Sequence, residues 1–267
     1  MRIYTDPLQA VREVERDLWE MGIDVHPQTM QDKDVADDDD FRTKEVQGYG
    51  FKINGWAWNH MGEADVIKYL FSDTNERARV LAYIGQEFED RMAGEPINPG
   101  NAWMCRPNVW EQFMHNGKFA YTYSERMAPQ LQAIIDELKE RPDSRQGIIN
   151  IHSNICPDED GNGLHGEISE DSDTNIVWPS ADMENKGGSG RIPCSMYYQI
   201  MRRAGKTDLI YTMRSCDFLT HFPIDLMLAL RLQLRMALEF GEEPGTFTYF
   251  MGSLHAYAKD MKDRGIF

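Results

Sequence analysis

Hydrophobic positions along the chain fall into recognisable periods. Leu8, Val11, Val14, Leu18 and Met21 recur at steps of three and four, which predicts a helix over 7–21. Thr43 to Trp58 is aromatic and glycine-containing and reads as strand with turns. Helical spacing returns over 76–93 and over 125–140, where Met127, Leu131, Ile134, Ile135 and Leu138 share a face before Pro142-Asp143-Ser144 ends the pattern. Gly147 to His152 is a short apolar strand. Ser195–Met201 and Asp208–Met213 flank Arg203-Ala204-Gly205-Lys206, a hairpin signal. Pro223 opens a helix to Phe240 that is apolar on most sides, as a central buried helix is. Thr246 to Tyr257 is a last strand. No repeat or linker divides the chain, so the expectation is one α+β domain over residues 1–267.

Composition narrows the function classes. With 41% hydrophobic and 11% aromatic residues, a sizeable core is available. No run is long and apolar enough for a membrane span, and Met1 to Met21 lacks a signal-peptide centre, so a soluble cytoplasmic protein is expected. The formal charge of −16 argues against tracking a nucleic-acid backbone, and any anionic substrate needs a local arginine cluster. Residues 157–191 carry carboxylates from Asp158 to Glu184, no Lys or Arg before Lys186, and a closing Gly187-Gly188-Ser189-Gly190; they read as a surface insertion. Asp37 to Asp40 reads as a solvated loop. Cys105, Cys156, Cys194 and Cys216 show no CxxC spacing, so free thiols and no metal site are expected.

One thiol stands in a chemical setting. Cys194 lies in Arg191-Ile192-Pro193-Cys194-Ser195, and the following strand delivers Arg214; a nearby cation turns a thiol into a nucleophile. Pro-Cys-x-x-x-x-Gln ending at Gln199, then Arg214-Ser215-Cys216-Asp217, then Asp225 eight residues on, resembles the thymidylate synthase family. The resemblance covers most of the chain, most strongly from 140 onward. It implies a thymidylate synthase-like fold, a twisted mixed sheet packed with helices whose sheet face forms a homodimer interface. It also implies Cys194 adding to carbon 6 of a pyrimidine nucleotide, with 5,10-methylenetetrahydrofolate as cosubstrate and no metal. On the same resemblance Glu87 is the proton-moving glutamate, Tyr123 stands beside the reacting carbon, and Trp110 and Asp217 serve the folate. Arg145, in Pro142-Asp143-Ser144-Arg145, reaches the partner's phosphate site. Gln199, Arg214 and Ser215 contact base and phosphate, and His255 and Tyr257 hold the sugar.

Departures from the family pattern bear on the base. Ser195 stands where His is usual, Gln146 where a second phosphate Arg is, and His221 where Gly is; the family's N-terminal phosphate Arg falls on Asp38, with Arg42 nearby. Most telling, Asp225 replaces an Asn that reads uracil. A carboxylate accepts from an exocyclic amine, which cytosine has and uracil lacks, while an amide suits uracil's edge. Asp225, Ser195 and Gly252-Ser253-Leu254-His255 together resemble bacteriophage deoxycytidylate hydroxymethylases, in which water attacks an exocyclic methylene on the base. That implies 5-hydroxymethyl-dCMP as product. The alternatives are a thymidylate synthase-type methyltransferase on dUMP or dCMP, a CMP hydroxymethylase, a plain helix cap at Asp225, and a catalytically silent nucleotide-binding protein.

Overall fold

The computed structural model describes residues 1–30, 33–54, 60–152 and 192–265. The acidic segment 157–191, Cys156 and the end of the 43–58 stretch lie outside the described residues.

A mixed sheet forms the frame. Its main path runs β1 (Arg2–Tyr4), β3 (Thr43–Ile53), β7 (Glu243–Tyr257), β6 (Lys206–Asp217), β5 (Ser195–Arg203), β4 (Ile148–Asn150), with β2 (Ile23–Val25) also paired to β3. β1 on β3 and β6 on β7 are parallel, and the remaining pairs antiparallel. The β5–β6 turn places Ala204 at φ 51° and Gly205 at φ 72°, the left-handed pair that a tight hairpin needs.

One face of the sheet is core. Tyr198, Tyr211, Tyr249 and Phe51 are direct cross-strand partners in neighbouring strands. The three tyrosine rings stack at centroid distances of 4.4 and 4.9 Å, and Phe222 continues the stack at 5.8 Å. Phe222 begins α5 (Phe222–Phe240), which lies buried across this face and ends on Gly241 at φ 66°. The opposite face carries Ile148, Gln199, Ile210, Thr248 and Lys52 in register, with Ile148 and Phe250 exposed.

The helices follow local rules. Asp6 caps α1 (Pro7–Met21) by accepting from Gln9 N, and Pro7 sits where no amide hydrogen is needed. Its buried stripe is Ala10, Val11, Val14 and Leu18; Met21 is exposed because the helix stops there. Asp73 caps α3 (Thr74–Met92), which delivers Glu87. A reciprocal capping box, Thr122 with Glu125, starts α4 (Tyr123–Glu140). α2 (His60–Leu70), β1, β2 and a last helix α6 (Ala258–Asp263) were not evident from periodicity. Asp39–Phe41 is a short exposed helical turn within the aspartate run. Among the described residues no helix is long and apolar enough to cross a membrane.

Candidate active site

Cys194 ends the loop before β5, half-buried. Arg214 straps this loop: its amide donates to the Cys194 carbonyl at 2.9 Å, Nε to the Pro193 carbonyl at 2.9 Å, and Nη2 to the Ile192 carbonyl at 3.0 Å. The same Nη2 comes within 3.9 Å of the Cys194 sulfur. A guanidinium at that distance is the usual means of favouring a thiolate.

A β-bulge lies immediately after the thiol. Thr212 pairs with Tyr197 but Met213 pairs with Ser195, so the register slips at Met196. The slip puts both Ser195 and Tyr198 on the core face, and bulges beside active sites re-aim side chains in this way. Ser195 is fully buried, its Oγ 2.5 Å from the Tyr211 hydroxyl and 3.3 Å from the Tyr123 hydroxyl. Tyr123 therefore hangs from the first position of α4 over the segment that bears Cys194.

Beside Tyr123 opens a cleft of about 470 Å³, solvent at its mouth included, lined by Tyr83, Glu87, Trp103, Trp110, Phe119 and Tyr123 among others. Trp110 stacks on Tyr83 at 5.9 Å and 13°, and His221 lies 5.9 Å from the Trp110 ring. Glu87 is hydrogen bonded to Arg91 Nε at 2.8 Å. Asp225 faces the same region from the first turn of α5. It does not cap that helix: the cap position is His221, and the described residues give the Asp225 carboxyl no hydrogen-bond partner. Burial raises its pKa to about 7 against the pull of Arg91, with Glu87 and Asp217 adding to the rise. At neutral pH this carboxyl can therefore both hold and release a proton.

The end of β6 and β7 brings further groups together. Asp217 accepts from the Leu219 amide at 3.2 Å, and burial lifts its pKa to about 6. His255, its cross-strand partner, is buried with its pKa lowered by desolvation to about 4, so the ring is neutral. Its Nδ1 is 3.2 Å from Ser253 Oγ, and Tyr257 packs edge-on at 5.2 Å. Burial, then the charges of Asp217 and Cys194, push the Tyr257 phenol up. Ser215 is half-exposed beside Ser253.

Two expected residues are not in this cluster. Arg145 is exposed, and Gln199 lies on the open sheet face, where its amide donates to the Arg145 carbonyl at 2.9 Å. Within one chain, Gln199 therefore does not reach the thiol. Arg42 forms a surface pair with Asp39 at 2.8 Å, and Asp38 accepts from the Asp40 amide. The structure also supplies groups that the sequence motifs did not single out: Arg91, Tyr83, Arg106 and the buried Tyr198 and Tyr211 hydroxyls. Of these only Arg91 left a signal, its i,i+4 spacing from Glu87.

Comparison with known proteins bears on the fold and on the C-terminal part of the sequence. The family model described as thymidylate synthase matches residues 172–264. A Methanocaldococcus jannaschii protein whose thymidylate synthase name is itself provisional is 25% identical over 152 residues, covering 56% of this chain and 57% of that one. The thymidylate synthase of Rhodopseudomonas palustris is 38% identical over 66 residues, 24% of this chain and 22% of its own length. The chain thus spans little more than half of the one relative and under a quarter of the other. Among solved structures, thermostable thymidylate synthase A from Bacillus subtilis superposes with a TM-score of 0.59 at 17% identity, covering 98% of this chain and 84% of that one. Thymidylate synthase from phage T4 gives 0.59 at 17% identity, with 95% and 78% covered. The chain accordingly has the α+β fold of the thymidylate synthases and, across residues 172–264, the sequence signature of that family.

Proposed function

We propose that the protein transfers a one-carbon unit from 5,10-methylenetetrahydrofolate to carbon 5 of a pyrimidine nucleoside monophosphate, with cytosine as the base and Cys194 as the nucleophile. The observation that carries this reading is the neighbourhood of three features: Cys194 strapped by Arg214, Tyr123 tied to the adjoining Ser195 and lining an aromatic cleft with Glu87, and a half-buried Asp225 whose pKa is raised to about 7. The residues lining the cleft suit a planar cosubstrate, with Trp103, Trp110, Tyr83 and Phe119 among them. Trp110 and Tyr83 offer flat apolar walls, and Arg106 Nη1 is buried with no hydrogen-bond partner among the described residues. When bound, the folate supplies carbon at the oxidation level of formaldehyde.

The residues divide the work as follows. Arg214 favours the Cys194 thiolate, which bonds to carbon 6 of the base while the 5,6-π pair shifts into the ring. Asp225 supplies the proton that ring nitrogen 3 of cytosine gains. The electron pair at carbon 5 then forms the new carbon–carbon bond. Glu87, working through water, takes the proton that carbon 5 loses as the folate nitrogen departs from the new carbon. Hydride or water then adds to the exocyclic methylene left on the base, and Cys194 leaves as the 5,6 double bond re-forms. His255 and Tyr257 hold the sugar, and Arg145 of a second copy supplies phosphate charge across the open sheet face of a homodimer.

Two products are compatible with these steps. The names of the matched relatives favour methyl transfer, as to dUMP. The resemblance at Asp225, Ser195 and Gly252-Ser253-Leu254-His255 favours 5-hydroxymethyl-dCMP. Tritium release from carbon 5 of labelled dCMP and dUMP, with folate, tests the reading. Product mass and dihydrofolate absorbance then separate methyl from hydroxymethyl. Absence of release from both nucleotides overturns it, and release from dUMP alone overturns the cytosine assignment.

A further inference from the structure

Arg91 lies one helical turn beyond Glu87 on α3, and its side chain is only 6% exposed. Its Nε donates to Glu87 Oε1 at 2.8 Å and its Nη1 to the Tyr198 hydroxyl at 3.3 Å. Its guanidinium carbon sits 4.0 Å from the centre of the Tyr123 ring. Three elements, α3, α4 and β5, therefore meet on one planar cation. The chain of hydroxyls continues from there: Tyr211 stacks on Tyr198, contacts Ser195 Oγ, and Ser195 Oγ reaches back to the Tyr123 hydroxyl.

A buried ion pair gives little net stability over well-packed apolar side chains. Geometry is what a guanidinium adds, because its donors form a rigid fork and its face stacks on aromatic rings. Burial opposes the Arg91 charge, but Glu87, then Tyr198, Tyr123 and Tyr211, hold its pKa well above the ordinary value. It is a permanent cation behind two residues that line the cleft, Glu87 and Tyr123.

We propose that Arg91 is a positioning residue that holds the Glu87 carboxylate aimed into the cleft and fixes the Tyr123 ring beside Cys194. This rests on the roles given above to Glu87 and Cys194. Arg91 acts through these two side chains and need not touch the nucleotide. The titratable groups facing it are Glu87 on its own helix, Tyr123 on α4, Tyr198 on β5 and Tyr211 on β6, with Asp225 on α5 within its field.

The test compares Arg91→Met, Arg91→Lys, Glu87→Gln and the double variant Glu87→Gln/Arg91→Met in the full chain. Arg91→Met is expected to lower kcat by ~100-fold, the scale of a displaced proton-transfer group, while the nucleotide KM moves little. The double variant should be no slower than Glu87→Gln alone. Arg91→Lys keeps the charge without the fork, and is expected to lower kcat by ~10-fold; it also stands in should the Met variant fail to fold. A crystal structure of Arg91→Met without substrate reads the geometry directly, and in it the Glu87 carboxyl and the Tyr123 ring should leave the places they hold in wild type. Wild-type kcat in Arg91→Met or Arg91→Lys, or unmoved Glu87 and Tyr123 side chains in Arg91→Met, overturns the proposal. Displaced Glu87 and Tyr123 side chains in a protein whose wild type releases no tritium overturn the functional reading instead.

Discussion

Replacing Asp225 by Asn should change stability and base preference together, and in a pH-dependent way. The Asp225 carboxyl is held at about 7 against an ordinary 3.8. At about 1.4 kcal/mol per tenfold change, the difference corresponds to on the order of 4 kcal/mol. The folded chain binds this proton more tightly than the unfolded chain, so ionising Asp225 in the fold costs free energy. That cost is absent below the unfolded value, grows as pH rises through the window between the two, and is complete above about 7. Asn carries no such cost. Asp225→Asn should therefore melt close to wild type in acid and several degrees higher at about pH 8, with ~10 °C as a ceiling for a chain of this size. The assay is thermal unfolding followed by circular dichroism in matched buffers at the two pH values. In the same preparations, the ratio of kcat/KM for dCMP over dUMP should fall by ~10-fold or more, because an amide complements uracil and leaves the cytosine edge mismatched. A melting difference that does not change with pH would refute the burial argument. An unmoved nucleotide ratio would refute the assignment of Asp225 to the base.

Other outcomes follow from the same geometry. Cys194→Ala should abolish tritium release while calorimetry still shows nucleotide binding; Cys216→Ala, which removes a buried sulfur 3.5 Å from the Tyr249 hydroxyl, should retain turnover. Mixing Arg145→Ala with Cys194→Ala should regenerate activity after subunit exchange, since each heterodimer would hold one intact site; sedimentation showing an active monomer would rule this out. Gly147→Ala should lower stability by about 1–3 kcal/mol, the usual cost of overpacking. The added Cβ would stand 2.6 Å from the Ile200 carbonyl oxygen and 2.9 Å from Leu138 Cδ1, and urea titration would read the loss.

Elements with strong local signals were legible in the sequence. The α1 helix was legible from the spacing of Leu8, Val11, Val14 and Leu18, and the Asp6 cap fixes its start at Pro7. The β5–β6 hairpin follows from Ala204-Gly205, and the central helix from its nearly all-round apolar text. Short edge strands such as Arg2–Tyr4 carry too few residues to show alternation, and α2 has no sharp apolar stripe. At the site, Cys194, Arg214, Tyr123, Glu87 and Asp225 were named from their motif; Glu87 and Tyr123 line one cleft, and Arg214 straps the loop of Cys194. The bulge at Met196 had no sequence marker, because a register slip is a property of two strands. Gln199 shows the same limit: its spacing from Cys194 matched the motif, yet in the single chain it faces the open side of the sheet. The spacing of Arg91 from Glu87 was visible, but an i,i+4 pair on a solvated face looks identical in sequence to one buried against Tyr123 and Tyr198.

The tyrosine row clarifies how core and site are joined. Phenylalanine at 198, 211 and 249 would give the same stacked rings without the desolvation that a buried hydroxyl brings. Each hydroxyl here has a partner: Tyr198 with Arg91, Tyr211 with Ser195, and Tyr249 with Met213 sulfur at 2.7 Å. Burial raises all three phenol pKa values, so they remain neutral and act as hydrogen-bond links without adding charge. Two of those links end on groups bordering the cleft, Arg91 and the Ser195–Tyr123 pair. The rings thus fasten β5, β6 and β7 to α5, while their oxygens tie that rigid row to the residues flanking Cys194 and Glu87. A site that must hold a cation, a carboxylate and a thiol in fixed relation is steadied by being hydrogen bonded to the stiffest part of the core, where side chains have few rotamers left to explore.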